Sequence, residues 1–70
     1  MSGQRLYTIS GLLNSGERKQ VNYWSSNKKG SIENFIDGFD ALKKEFSLQT
    51  SDFVSGEFEV SYAQTSLSRR

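Results

Sequence analysis

Carboxylates are the side chains of this 70-residue chain that could carry out chemistry. The sequence contains no histidine and no cysteine, so it lacks both a base that titrates near neutral pH and a thiol nucleophile. Asp37 and Asp40 share one face if their segment is helical, and Glu57 and Glu59 share one face of a strand. Either pair could in principle act as acid and base or bind a hard metal ion.

Neither carboxylate pair predicts an active site, because nothing in the sequence builds a water-excluding pocket around it. Both pairs are explained more simply as solvated faces, one on the polar side of an amphipathic helix and the other on the exposed side of a strand. We therefore expect a protein that is not an enzyme and that carries no metal and no cofactor.

The stretch NKKGS, residues 27–31, suggests anion binding. A glycine beside a helix N-terminus with lysines close by is a place where phosphate often binds, which makes Lys28 and Lys29 a possible anion site. The stretch has one glycine and lacks the spacing of the P-loop and of the dinucleotide-binding fingerprint. Two lysines in a solvated loop are the simpler interpretation.

Charge and composition exclude several other classes of protein. The formal net charge is +1, and two of the nine basic residues are Arg69 and Arg70 at the end of the chain, so the body is near neutral. This weighs against a protein whose main partner is a phosphate backbone. The absence of cysteine fits a reducing compartment, and we expect the cytoplasm.

The chain has no apolar run that approaches the roughly 18 residues of a membrane span. Its first ten residues, MSGQRLYTIS, lack the apolar core of a signal peptide. We therefore expect no membrane partner.

Hydrophobic periodicity predicts one domain over residues 1–70. Alternating segments at residues 4–13 and 17–25, joined by the turn signal NSGE, predict a hairpin. Apolar spacings of three and four over residues 31–46 predict an amphipathic helix, and a third alternating segment follows at residues 53–63. The ordered part is expected to span about residues 4–63, with residues 64–70 as a polar tail.

These elements predict the α+β class. The arrangement is ββαβ, a three-stranded antiparallel sheet in the order 2-1-3 with one amphipathic helix packed on one face. The predicted core is Tyr7, Ile9, Leu13, Val21, Tyr23, Ile32, Phe35, Ile36, Phe39, Leu42, Phe46, Val54, Phe58, Val60 and Tyr62.

Two residues of the predicted helix, Ser31 and Gly38, bear on where it begins and how it packs. Ser31 is the predicted N-cap. Gly38 costs on the order of 1 kcal/mol relative to alanine in a helix interior. It marks either a close approach of another strand or chain, or a tolerated surface glycine, and the second interpretation is the simpler one.

Trp24, the one tryptophan of the chain, carries the main functional hypothesis. If Val21 and Tyr23 face the helix, alternation places Trp24 on the uncovered face of the sheet. The predicted partner-binding residues on that face are Trp24, Leu6, Leu12, Arg18, Gln20 and Phe53. Two other interpretations stay open, in which Trp24 folds over the sheet edge onto the core or a register slip turns it inward.

Three functions compete. The first is a small protein-binding module, such as an inhibitor, an adaptor or an accessory protein, that acts through the open sheet face. Its size is typical of phage or mobile-element accessory proteins. The second is nucleic-acid binding, with bases stacked on Trp24 and Phe53 and phosphates neutralised by basic side chains. Those basic side chains are Arg18, Lys19, Lys28, Lys29, Arg69 and Arg70.

The third function is a homo-oligomeric structural protein. So short a chain buries only roughly 60 to 65% of its unfolded surface, and without disulfides or the usual metal ligands, self-association is the remaining way to add stability. Charged residues on both predicted edge strands, Arg18 and Lys19 on one and Glu57 and Glu59 on the other, discourage edge pairing. The sequence therefore favours association through the sheet face.

Overall fold

A three-stranded antiparallel sheet carries one helix on one of its faces. The computed structural model describes residues 3–26 and 28–63. The elements in chain order are β1 (Gln4–Leu13), β2 (Arg18–Ser26), α1 (Ser31–Phe46), a single 3₁₀ turn (Thr50–Asp52) and β3 (Phe53–Tyr62). The strand order β2-β1-β3 confirms the predicted α+β fold. The predicted tail, residues 64–70, lies outside the described residues.

The β1–β2 hairpin has the register that the alternation predicts. Tyr7 lies opposite Tyr23, and Leu6 lies opposite Trp24. The turn closes with a hydrogen bond of 2.9 Å from the Gly16 amide to the Leu13 carbonyl. Gly16 has a φ of 94°, a conformation that glycine adopts without steric cost.

The helix α1 contacts the sheet through a row of residues that differs from the predicted apolar stripe. Its buried residues are Asn34, Gly38 and Leu42, which recur every four positions and so share one line along the helix. With about 100° of rotation per residue, the apolar side chains are centred roughly a quarter-turn away from this line. The prediction that Ile32, Ile36 and Phe46 belong to the core is therefore wrong, since all three side chains are exposed.

Gly38 accounts for this rotation of the helix. A Cβ atom at this position would lie 2.7 Å from the Cε1 and Cζ atoms of Tyr23, closer than real side chains approach each other. The Tyr23 hydroxyl donates a hydrogen bond to the Asn34 side-chain oxygen. Burial, with contributions from Tyr7 and Asp37, raises the pKa of Tyr23 to about 12. Gly38 is thus a close-approach glycine, and the simpler interpretation as a surface glycine is wrong.

The helix begins one residue earlier than the capping pattern predicts. Gly30 occupies the N-cap position in an extended conformation, and no side chain caps the helix. Ser31, the predicted N-cap, is the first helical residue.

A bulge interrupts the alternation of β3. Leu13 pairs with Phe53 and Gly11 pairs with Phe58, so the chain advances five residues in β3 against two in β1. Gly56, inside the extra segment, has a φ of 82°. Because of the bulge, Phe53 and Phe58 lie on the same face, with ring centroids 5.5 Å apart. A Cβ atom at Gly11 would lie 2.8 Å from the Phe58 ring, so the two rings cover this glycine.

The core is small and lies between α1, the two strands of the hairpin and the start of β3. Its buried apolar members are Ile9, Leu13, Tyr23, Leu42 and Phe53. Partly buried apolar side chains surround it, namely Tyr7, Val21, Phe35, Phe39, Ala41, Leu48 and Phe58.

The far end of β3 is not part of this core. Val60 and Tyr62 were predicted there, but their side chains are 40% and 60% exposed, because α1 packs mainly against β2 and next against β1. Val54, also a predicted core residue, is half-buried in the bulge. No helix in residues 3–26 and 28–63 is long and apolar enough to cross a membrane.

Candidate functional site

The open face of the sheet carries Trp24 at one end. Tyr23 points towards α1, so its neighbour Trp24 points to the opposite side, and 62% of the Trp24 side chain is exposed. Its cross-strand neighbour is Leu6, which is half-buried. The structure therefore places Trp24 on the uncovered face, and neither the core-capping nor the inward orientation is found.

The predicted binding residues do not form one patch. Leu12 lies opposite Arg18, at the other end of the strands from the Leu6–Trp24 pair. The six residue steps from Leu6 to Leu12 span about 20 Å along a strand. The open face thus has two separate ends that contain apolar side chains.

Polar side chains separate these two ends. The Thr8 hydroxyl donates a hydrogen bond of 2.6 Å to the Asn22 side-chain oxygen, and Ser10 lies opposite Gln20. Of the predicted residues, Gln20 therefore belongs to the polar middle. A partner that contacts both Trp24 and Arg18 must cover the length of the face.

Phe53 is absent from the open face, contrary to prediction. Its side chain is 7% exposed and packs on the helix side, where its ring centroid lies 5.3 Å from that of Phe39. Strict alternation along β3 places Phe53 on the wrong face because the bulge adds residues between it and Phe58. Gly56 was the available signal, since a glycine inside a strand often marks a bulge.

The third strand gives the open face an acidic border. Glu59 pairs with Ser10 across β1, so its carboxylate shares the face with Trp24. Glu57 and Glu59 line a shallow cavity of about 210 Å³ together with Arg18, Gly56 and Phe58. This border repels a phosphate backbone.

Lys29 is engaged in an ion pair at the N-terminal end of α1. Its Nζ atom lies 2.7 Å from the Asp37 carboxylate, and the buried Ser25 hydroxyl donates a 2.9 Å hydrogen bond to the same oxygen. The Lys29 ammonium and the Ser25 hydroxyl hold the pKa of Asp37 below its ordinary value. Lys28 is exposed beside this pair. The ion pair weakens the anion-site interpretation, since Asp37 already neutralises one of the two lysines.

The Asp37 contacts predict how stability depends on pH. A carboxyl with a lowered pKa in the folded chain stabilises the fold above its unfolded pKa, and this contribution is lost as the pH falls through its folded pKa. We expect Asp37→Asn to be less stable than wild type at neutral pH by at most about 1 kcal/mol, because the pair is partly exposed. The difference should narrow as the pH falls past the ordinary carboxyl value of 3.8.

Thermal melts of both proteins, recorded from neutral pH to below pH 3.8, test that expectation. Ser51→Ala, at an exposed position far from the ion pair, is the control and should follow the wild-type curve. A constant difference between Asp37→Asn and wild type at every pH would contradict the prediction.

Of the two carboxylate pairs considered for catalysis, Glu57 and Glu59 border the open face, while Asp37 and Asp40 each lie beside a lysine. Asp40 lies 3.8 Å from Lys43, while Asp37 is held by Lys29. Within the described segments, no three acidic side chains gather into a group that could hold a metal ion.

A second exposed apolar surface lies on the helix side of the sheet, where sequence reasoning placed core. Tyr7 stacks between Tyr23 and Tyr62 across the three strands, with ring centroids 5.6 Å and 5.3 Å apart. The Arg5 guanidinium lies 4.3 Å from the centre of the Tyr62 ring. A groove of about 410 Å³ runs beside this row, lined by Tyr7, Lys29, Ser31, Asn34, Val60 and Tyr62.

The fold and these surfaces define a small α+β domain with two exposed apolar surfaces, one on each side of its sheet. Comparison of the chain with protein-family models, curated proteins and solved structures found no match. The geometry of these surfaces is therefore the guide to what the protein binds.

Proposed function

We propose that this chain is a small, non-enzymatic protein-binding module, an inhibitor, adaptor or accessory protein, which docks through its open sheet face. The exposure of Trp24, at 62% of the side chain beside Leu6, is the observation that carries the proposal. Tryptophan is the residue type most enriched where truncation costs the most binding energy. An exposed tryptophan on a strand is therefore suited to act as the main contact with a partner protein at this end of the face.

The surroundings of Trp24 support this role. Trp24 lies inside β2, opposite Leu6 of β1, and a residue already ordered in a strand loses little conformational entropy when a partner binds it. The Thr8–Asn22 hydrogen bond orders the polar middle of the face next to the apolar pair, and protein interfaces combine apolar contacts with polar surroundings of this kind. Arg18 and Leu12 supply a second contact at the far end of the face.

Three observations favour a protein over a nucleic acid as the partner. Phe53 is buried, which leaves Trp24 as the remaining aromatic side chain of the proposed stacking platform. Glu59 shares the face with Trp24, and the ammonium of Lys29 is paired with Asp37. Phosphate backbones bind surfaces that concentrate positive charge, which this face does not.

We propose the cytoplasm as the compartment in which the module acts. A chain without cysteine gains nothing from an oxidising environment, and its small core depends on noncovalent contacts alone. Fractionation of the source cells tests this assignment.

Capture of a partner by the immobilised protein from an extract of its source cells tests the function. We expect Trp24→Ala to stay folded, with a loss of stability of about 1 kcal/mol or less because the side chain is exposed, and to lose the captured protein. Glu45→Ala, at an exposed position of α1 on the opposite side of the sheet, is the control and should retain it. Capture by Trp24→Ala at the wild-type level would overturn the proposal, and capture that falls steeply with salt and requires nucleic acid would favour the alternative function.

A further inference from the structure

The outer edge of β3 is a strand edge with an apolar surface beside it, and within the described residues no strand pairs with it. We infer that a second copy of this chain covers it. The two β3 strands pair antiparallel about a two-fold axis at Val60. The product is a continuous sheet made from both copies, with both helices on the same face.

The backbone of β3 points the required groups outward. The Ala63 amide donates a 3.0 Å hydrogen bond to the Leu6 carbonyl of β1. Backbone groups alternate in direction along an antiparallel strand, so Phe58, Val60 and Tyr62 direct their amide and carbonyl groups to the outer edge. Val60 therefore faces Val60 of the second copy in a hydrogen-bonded pair, and Phe58 faces Tyr62 of the second copy in the same way.

The charges of β3 favour this register over one centred on Phe58. An axis at Val60 places Glu59 opposite Ser61 of the second copy and Glu57 opposite Ala63, so no carboxylate faces another. An axis at Phe58 would place Glu57 opposite Glu59, which is repulsive, and would bring the bulge at Gly56 into the pairing. The two glutamates, which the sequence predicts to discourage edge pairing, disfavour this second register more than the first, in which Glu59 and Glu59 of the second copy are only diagonal neighbours.

The apolar side chains that the monomer leaves uncovered lie where the second copy would cover them. Val60 and Tyr62 are 40% and 60% exposed, and both point to the helix side. Phe35 of α1 packs against Phe58 of β3 with ring centroids 5.2 Å apart, so this flank of the helix faces β3. Ile32, 74% exposed, lies on the same flank one turn earlier and is directed to the second copy.

Sedimentation of the full chain over a dilution series tests the inference with two matched variants. Wild type should sediment at twice the chain mass of 7.9 kDa and dissociate on dilution. Val60→Lys should weaken dimerisation at least tenfold, because it brings two ammonium groups together at the axis. Ser61→Lys adds the same charge one residue away, opposite Glu59 of the second copy, and should dimerise as well as wild type or better. Both positions are exposed, and circular dichroism checks that both variants fold.

A covalent trap tests the register. Residues in a hydrogen-bonded antiparallel pair have Cα atoms about 5.5 Å apart, within the range that a disulfide spans. The chain contains no cysteine, so Val60→Cys should form a disulfide dimer quantitatively in a mildly oxidising buffer. Ser51→Cys, exposed and distant from β3's outer edge, is the control and should remain mostly uncrosslinked.

The outcomes separate this inference from the proposed function. A wild type that is monomeric at every concentration overturns it, and so does a dimer that survives Val60→Lys but is lost in Trp24→Ala, which would assign self-association to the open face. Dimerisation that appears when residues 64–70 are removed would assign the edge to the chain's own C-terminal segment and would also overturn it. Loss of the dimer in Val60→Lys, with capture still dependent on Trp24, supports both proposals independently.

Discussion

Replacing Phe53 with alanine is expected to lower the free energy of unfolding by about 3–5 kcal/mol. The Phe53 ring is 7% exposed and packs edge-on against Phe39 at a centroid distance of 5.3 Å. Its removal opens a cavity that neighbouring side chains cannot fill without moving. Since small domains are stable by only about 5–15 kcal/mol, this one substitution brings the protein close to unfolding.

Trp24→Ala is the matched control, because it removes a larger aromatic side chain from an exposed position. We expect it to cost about 1 kcal/mol or less. Urea denaturation of both variants, followed by far-ultraviolet circular dichroism, measures the difference. Equal costs, or a larger cost for Trp24→Ala, would contradict the burial of Phe53 and the bulge that places it on the helix side.

Gly38→Ala is expected to destabilise the protein by about 1–3 kcal/mol, as overpacking of a close contact does. On an exposed helix surface the same change would instead stabilise by up to about 1 kcal/mol, so the sign of the effect is diagnostic. The new methyl group would lie 2.7 Å from the Tyr23 ring. The ring has little freedom to move away, because its hydroxyl is bonded to Asn34 and its other side stacks on Tyr7.

A double-mutant cycle identifies the contact. In a Tyr23→Leu background the Cε1 and Cζ atoms are gone, and Gly38→Ala should cost little or become stabilising. In a Tyr23→Phe background the ring remains and the cost should persist. A Gly38→Ala protein that is more stable than wild type would contradict the observed approach of α1 to β2.

Local signals predicted the elements and their order because those signals act within a few residues. The strand β1 (Gln4–Leu13) has the predicted bounds, and the helix α1 (Ser31–Phe46) begins one residue before the start that its capping pattern predicts. Period-two and period-3.6 patterns are local properties of the chain, and a short turn requires β1 and β2 to be antiparallel neighbours. The position of Trp24 on the open face followed from the same alternation, once Tyr23 was assigned to the helix side.

Contacts between elements decided the rest, and the local pattern signals them only through the glycines at positions 38 and 56. The rotation of α1 depends on Gly38 meeting Tyr23 and on the buried Asn34 accepting the Tyr23 hydroxyl, so the apolar stripe is only partly covered. The face of Phe53 depends on the bulge opposite Leu12, which the pairing with β1 sets.

By itself, the sequence determined the secondary structure, the α+β class, the strand order and the direction of Trp24. Hydrophobic period and turn chemistry specify these properties over short segments. The tertiary structure alone decided which apolar side chains are buried and which remain for a partner, because burial depends on how closely two elements approach. In this protein one glycine and one bulge set that approach, and they leave Ile32, Val60 and Tyr62 on the surface.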